Sequence, residues 1–106
     1  MTQRQDMKKI ADHFGPERQR LKAIEECNEF IEALRHLQRA IDLGEPPDVI
    51  ATLRLNVIEE GADVRLMIDQ IMYQTGGESD CKKMYNFKIE RTLKRIESKY
   101  YAMEDK

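Results

Sequence analysis

Hydrophobic and polar residues recur along this chain with the 3.6-residue period of an α-helix, and no stretch alternates with the period of two that marks a strand. Glycine and proline are few, and they separate the periodic segments. The pattern predicts helices over about 3–14, 16–43, 49–74 and 79–101. We therefore expect an all-α fold and a single domain spanning residues 1–106.

The breaks between the predicted helices carry the local signals of helix ends. Pro16 stands at the first turn of the second helix, where its missing N–H costs nothing. A short turn over residues 44–47 separates the second and third helices, which we expect to pack as an antiparallel hairpin. Asp48 is an expected N-cap for the third helix, and Ser79 or Asp80 for the fourth.

Two pairs of acidic residues fall at positions where a packed helix normally carries leucine. Glu26 and Glu29 lie three residues apart in the second helix, and Glu60 and Asp63 have the same spacing in the third. Residues three apart project from one side of a helix, and both pairs share an arc with apolar residues. We therefore expect all four carboxylates to face inward. Because unpaired buried carboxylates are costly, we also expect them to surround a cation.

The residue types narrow the choice of cation. Neither His13 nor His36 projects onto the acidic arcs, and neither acidic run contains the Glu-x-x-His pair of di-iron sites. Mg²⁺, Mn²⁺ and Ca²⁺ all prefer oxygen ligands, and a few carboxylates with open water positions suit Mg²⁺ bound together with phosphates. We expect Mg²⁺, with Mn²⁺ as an acceptable substitute.

Basic side chains repeat on one face of the predicted fourth helix. Lys88, Arg91 and Arg95 stand at positions i, i+3 and i+7. Such a stripe either provides cations for phosphate oxygens or forms an ordinary solvated face.

Composition excludes some classes of function. With 36% charged residues and a net charge of −2, the chain lacks the basic footprint of a duplex nucleic-acid binder. Cys27 and Cys81 form no CxxC pair, so we expect reduced thiols with a packing role. No leader opens the sequence and no apolar run reaches membrane-spanning length, which favours a cytoplasmic protein without a membrane partner.

The acidic runs resemble the signature of the MazG-like all-α nucleoside triphosphate pyrophosphohydrolases, a group that includes dUTP and dCTP pyrophosphatases. EECNE at 25–29 and EEGAD at 59–63 are similar to the family's EExxE and EExxD motifs, and NFKIER at 86–91 is similar to a later motif. The resemblance implies a hydrolase that converts a nucleoside triphosphate to the monophosphate and pyrophosphate with Mg²⁺. Which base and sugar it prefers stays open.

The same resemblance implies roles for individual residues. The metal ligands would be Glu26, Glu29, Glu60 and Asp63. Phosphate contacts would fall on the fourth helix, at Asn86, Lys88 and Arg91, with Arg95 added from the basic stripe.

Hydrolysis also needs a proton acceptor and contacts to the base. Among the acidic side chains we rank Glu29 first as general base and Glu25 second. His13 and Phe14 are candidates for stacking on the nucleobase.

The predicted second and third helices carry apolar arcs wider than one hairpin contact needs. We therefore expect a homodimer, or a tetramer, whose helices complete a four-helix bundle around each acidic cluster. Two alternatives to the hydrolase stay open, namely a non-catalytic helical interaction module derived from that family and a phosphoribosyl-ATP pyrophosphohydrolase.

Overall fold

The computed structural model of the chain describes residues 1–98, and this range is helical with no β-strand. The helices are α1 (Gln3–Phe14), α2 (Pro16–Asp42), α3 (Pro47–Thr75) and α4 (Glu78–Glu97). The all-α prediction is confirmed. The predicted end of the last helix near residue 101, and the remainder of the chain, lie outside the described residues.

Local signals set the start of α1 and the break before α2. The Thr2 hydroxyl accepts a hydrogen bond from the Gln5 backbone N–H at 3.1 Å, and the Gln5 side chain accepts one from the Thr2 N–H at 2.9 Å. This reciprocal pair is a capping box. Gly15 then adopts a φ of 85°, which favours glycine, and Pro16 begins the next helix as predicted.

The predicted caps of the two later helices are wrong. Because α3 begins at Pro47, which suits the first helical position, Asp48 lies inside the first turn, where its charge favours the helix dipole. Gly77 is the N-cap residue of α4 and makes no side-chain cap hydrogen bond, so neither Ser79 nor Asp80 caps that helix.

The chain divides into two compact units, residues 1–75 with α1 to α3 and a second unit from residue 76 onward that contains α4. Within the first unit, α2 and α3 pack along one another, and α1 packs against both. Gln19 near the start of α2 contacts Gln70 near the end of α3, so the two helices run antiparallel, as the short connection predicts.

The interface between α2 and α3 follows a seven-residue repeat. The buried positions of α2 are Gln19, Glu26, Ala33 and Ala40, each seven residues from the next. This spacing is that of a coiled-coil seam, and its small alanines allow the helices to approach closely. The seam is apolar and narrow at the hairpin's connected end and polar at the open end.

Few large apolar side chains are buried in this unit. The buried apolar residues are Met7, Ala11, Ala33, Ala40 and Met67. Many leucines and isoleucines of α2 and α3 are exposed instead: Leu21, Ile24, Ile31, Leu34, Ile41, Leu55, Ile58, Leu66 and Ile68. Within residues 1–98, no helix combines the length and apolar character needed to cross a membrane.

Both cysteines are exposed free thiols, so the predicted packing role is wrong. Cys27 follows the buried Glu26 by one residue, which turns it about 100° around the helix and away from the seam. Cys81 belongs to α4, which has no buried residue.

Gly61 lies where α3 crosses α2. A Cβ atom added at this glycine would lie 3.4 Å from Cε1 of Phe30, which is the limit of ordinary van der Waals contact. Only a very small side chain therefore fits between the two helices at this point.

We predict that Gly61→Ala is neutral or raises the melting temperature slightly, because alanine favours the helix by about 0.5–1 kcal/mol. Gly61→Leu should instead destabilise the fold by about 1–3 kcal/mol, because the larger side chain must displace the Phe30 ring. Thermal melts followed by circular dichroism measure both effects. The control is Ala62→Leu at the adjacent exposed position, and equal melting of the two leucine variants would contradict close packing at Gly61.

Candidate metal centre

Three carboxylates converge where α2 and α3 face each other. Glu26 of α2 and Glu60 and Asp63 of α3 each place one oxygen atom within 4.8 Å of the other two. Glu26 is buried, Glu60 is half-buried and Asp63 is exposed. The cluster therefore opens from the helix interface toward solvent on the Asp63 side.

Helix geometry explains why these side chains meet. Glu60 and Asp63 are one turn apart, and so they project from the same side of α3. Phe30 follows Glu26 by about one turn of α2, and it packs against Gly61, the neighbour of Glu60. Close approach of the helices at this contact brings the two acidic faces together.

One oxygen atom of the cluster has no partner. Oε2 of Glu60 is buried and makes no hydrogen bond to any described residue. Leaving a buried polar atom unsatisfied costs about 1–3 kcal/mol, and more when the group is charged. A cation shared by the three carboxylates would provide the missing interaction.

Lys22 neutralises part of this negative charge. Its Nζ lies 3.1 Å from Oε1 of Glu26 and 3.5 Å from Oε1 of Glu25, one turn away on the same helix. The hydrogen bond to Glu26, followed by the charges of Glu25 and Glu26, raises the pKa of Lys22 above its ordinary value. The ammonium group therefore stays charged beside the acidic cluster.

Glu29, the fourth predicted ligand, lies beside the trio rather than within it. Its side chain is exposed, as is Asp63, so the expectation that all four carboxylates face inward holds only for Glu26 and, in part, for Glu60. The negative charge of Glu26 raises the pKa of Glu29, followed by desolvation and by the charge of Glu60. Glu29 is therefore close enough to interact with the cluster electrostatically.

An open groove of about 570 Å³ adjoins the carboxylates. Glu26 and Asp63 line it together with the candidate base Glu25. Arg18 and Lys22, which are one turn apart on α2, add positive charge to the same groove. The groove therefore combines two of the three clustered carboxylates with side chains that attract anions.

The remaining predicted base contacts differ in their position relative to this groove. Phe14 lines the groove, whereas His13 packs its ring edge-to-face against Phe14, with centroids 4.8 Å apart. His13 thus supports the Phe14 ring. A direct contact between His13 and a nucleobase stays a prediction.

The four predicted phosphate ligands, Asn86, Lys88, Arg91 and Arg95, are exposed residues of α4, in the second unit. The Arg91 guanidinium lies 5.9 Å from the centroid of the Phe87 ring. Phosphate binding by the four α4 residues stays a prediction.

Sequence reasoning missed four polar residues of the groove, although the seven-residue repeat contained a signal for two of them. Gln19 stands seven residues before Glu26, and Gln70 stands seven residues after Asp63, so both continue the acidic arcs. Arg18 and Lys22 carry no comparable signal, because exposed basic residues are common on helices.

Comparisons of the chain with models of protein families, with curated proteins and with solved structures found no match. The chemistry of the site therefore rests on its own geometry.

The donor set fits a hard divalent cation. All three converging groups are carboxylates, which suit Mg²⁺ and Mn²⁺. Oxygen atoms that share one octahedral Mg²⁺ lie about 3.0 to 4.2 Å apart, because each Mg–O bond is about 2.1 Å long. Small side-chain rotations would therefore bring these oxygens within binding distance of one ion.

Mg²⁺ at a hundred times its dissociation constant should stabilise the wild-type protein by about 2.7 kcal/mol. We predict that Glu60→Gln removes this gain and melts higher than wild type in EDTA, because it removes one of the clustered charges. Thermal melts with and without Mg²⁺ test both statements. Glu59→Gln, at the adjacent exposed position, should keep the gain, and the same gain in Glu60→Gln would contradict the site.

The pH dependence of stability without metal tests the position of Glu29. Its pKa is higher in the folded chain than the ordinary value of 4.5, so its contribution to stability is fully present below that value. This contribution is lost as the pH rises through the folded-state pKa. Repulsion from Glu26 should therefore lower the melting temperature of the metal-free protein between mildly acidic and neutral pH.

We predict that Glu29→Gln raises the melting temperature at pH 7 in EDTA and flattens the pH profile. Melts at pH 5, 6 and 7 measure the effect, with Glu45→Gln in the turn after α2 as the control. Identical pH profiles for wild type and Glu29→Gln would place Glu29 outside the range of the cluster.

Proposed function

We propose that this protein is a Mg²⁺-dependent pyrophosphohydrolase that converts a nucleoside triphosphate to the monophosphate and pyrophosphate. The observation that carries the proposal is the meeting of Glu26, Glu60 and Asp63, with a buried oxygen of Glu60 left without a partner. The resemblance of the acidic runs to the MazG-like family supplies the reaction class.

A triphosphate is strongly anionic, so it needs positive charge to bind beside carboxylates. Glu26, Glu60 and Asp63 would hold Mg²⁺, which, when bound, neutralises phosphate charge and lowers the pKa of a bound water. Arg18 and Lys22 of the groove would contact phosphate oxygens. We also propose, from the sequence alone, that Lys88, Arg91, Arg95 and Asn86 of α4 contact phosphate.

Glu29 is proposed as the proton acceptor. Its carboxylate is exposed to solvent beside the cluster, and its pKa is raised by Glu26, which makes it a stronger base than an ordinary glutamate. Glu25, which also lines the groove, is the second candidate.

In the proposed reaction, water attacks the α phosphorus and pyrophosphate is the leaving group. The water oxygen forms a bond to phosphorus while the anhydride bond between the α and β phosphorus atoms breaks. The bridging oxygen keeps the electron pair, and the water proton passes to the Glu29 carboxylate.

We propose further that the protein is a homodimer whose helices form a four-helix bundle, with a tetramer as a larger assembly. The support is the large number of exposed leucines and isoleucines on α2 and α3 beside a core of alanines and two methionines. Such apolar surface on a soluble protein typically marks an interface. Light scattering after size-exclusion chromatography should give at least about twice the monomer mass of 12.5 kDa, and a monomer would contradict this assembly.

Product analysis tests the reaction. A panel of ribo- and deoxyribonucleoside triphosphates, with phosphoribosyl-ATP included, should yield pyrophosphate from at least one member when Mg²⁺ is present. Glu60→Gln should lower kcat/KM by at least about a hundredfold, the upper end of losses seen for groups that support metal ligands. Glu59→Gln should keep the activity.

Each other outcome of this assay has a distinct meaning. Release of orthophosphate would contradict cleavage between the α and β phosphorus atoms. Hydrolysis of phosphoribosyl-ATP alone would identify that alternative. No hydrolysis, together with a Mg²⁺-dependent melt, would favour the non-catalytic helical module.

A further inference from the structure

Two glutamine side chains are buried against each other in the seam between α2 and α3. Nε2 of Gln19 donates a hydrogen bond to Oε1 of Gln70 at 2.6 Å. Gln19 is 4% exposed and Gln70 is 1% exposed, so both amides are removed from bulk water. Burying neutral amides is unfavourable unless their hydrogen bonds are satisfied, so an apolar pair would be the simpler choice for stability alone.

The two glutamine side chains differ in the number of hydrogen bonds that they make. Nε2 of Gln70 donates to the Leu66 carbonyl at 3.3 Å and lies 3.7 Å from Sδ of Met67, so this side chain is held in place. A glutamine amide offers two N–H donors and an acceptor oxygen, and Gln19 uses one donor on Gln70. Among the described residues, the Gln19 side chain has no second hydrogen-bond partner, and it lines the groove beside the carboxylates.

An aromatic side chain forms another part of the same groove. Phe14 lines it together with the apolar side chains of Ile10, Leu66 and Met67. The Arg18 guanidinium lies 5.1 Å from the centroid of the Phe14 ring, and His13 packs edge-on against this ring. The groove therefore offers an apolar surface for a flat ring beside a polar patch of two amides.

We propose that this groove binds the nucleobase of the substrate, with Phe14 as the stacking surface and the Gln19–Gln70 pair as the group that reads the edge of the base. The proposal rests on the pyrophosphohydrolase function and adds to it the residues that select the substrate. A flat heteroaromatic ring with donors and acceptors on its edge suits both surfaces, whereas a purely apolar ligand would leave the Gln19 amide unpaired.

The position of the groove also suits this ligand. Glu26 and Asp63 line it near the proposed Mg²⁺ site, and Arg18 and Lys22 line it as well. A nucleotide bound with its base against the glutamines would therefore have carboxylates for its metal and cations for its phosphates within the same groove. One molecule would satisfy the apolar, polar and charged parts of the lining.

The first test removes the glutamine pair as a unit. The double variant Gln19→Leu with Gln70→Leu leaves no orphaned amide, so the fold should survive. We expect KM for the preferred triphosphate to rise at least tenfold, kcat to change less than threefold, and the ratio of kcat/KM between best and worst bases to fall at least tenfold. Gln38→Leu, at an exposed position of α2 outside the groove, is the control and should retain wild-type selectivity. Unchanged base selectivity in the double variant would overturn the proposal.

The second test removes the stacking surface. Phe14→Ala should raise KM by about tenfold for every base, because stacking does not depend on the identity of the base. Leu43→Ala, which also removes an exposed apolar side chain but lies in the turn after α2 and outside the groove, is the control. A KM in Phe14→Ala equal to that of the control would contradict the stacking role.

A binding experiment without turnover separates this proposal from the proposed function. Nucleoside monophosphates are titrated into wild-type protein in EDTA and followed by NMR of backbone and side-chain amides. Shifts centred on Phe14, Gln19 and Gln70 that vanish in the double variant would support the base site even if no triphosphate were hydrolysed. Pyrophosphate release without such shifts would keep the enzyme and overturn the base site.

Discussion

The structure depends on negative charge held at a helix interface. Glu26 occupies a seam position between two alanine-lined turns and the Gln19–Gln70 pair, and it faces Glu60 and Asp63 of the opposite helix. Three carboxylates at this separation repel one another, and Lys22 neutralises only part of their charge. Without a cation the arrangement weakens the hairpin where its two helices must pack. With a cation the same side chains become a cross-link between α2 and α3.

Packing elsewhere in the hairpin adds little apolar stabilisation that could offset this repulsion. The seam positions Ala33 and Ala40 and the contact between Gly61 and Phe30 keep the helices close, but small side chains bury little apolar surface. Many of the leucines and isoleucines of α2 and α3 remain exposed. The two helices therefore contact each other along one narrow seam. Their acidic and amide side chains lie toward the open end of the hairpin, beside α1. The groove at this end is lined by carboxylate, basic, amide and aromatic side chains, which metal, phosphate and base would require.

Much of this arrangement could be predicted from the sequence, because helical period, proline position and acidic spacing are local properties. The period gave the all-α fold, and the pairs Glu26 with Glu29 and Glu60 with Asp63 marked the faces that meet. Which carboxylates converge depends on the relative rotation of two helices, so the exposure of Glu29 could not be read from spacing. The caps of α3 and α4 were mispredicted because several neighbouring residues suit the start of a helix equally well. The exposure of both cysteines depends on which helix faces are packed, and the chemistry of a thiol does not show this. Gln19 and Gln70 were missed although they continue the acidic arcs, since an amide at a seam position suggests no ligand until its partner is known.

Direct counting of bound ions shows whether Glu26, Glu60 and Asp63 hold a metal. Mn²⁺ can substitute for Mg²⁺ at an oxygen site, and electron paramagnetic resonance reports the free ion during a titration. We expect at least one Mn²⁺ bound per chain and displaced by Mg²⁺, with its affinity lowered at least tenfold by Glu26→Gln or Glu60→Gln. Binding of equal strength in wild type and both variants, or none in wild type, would contradict it.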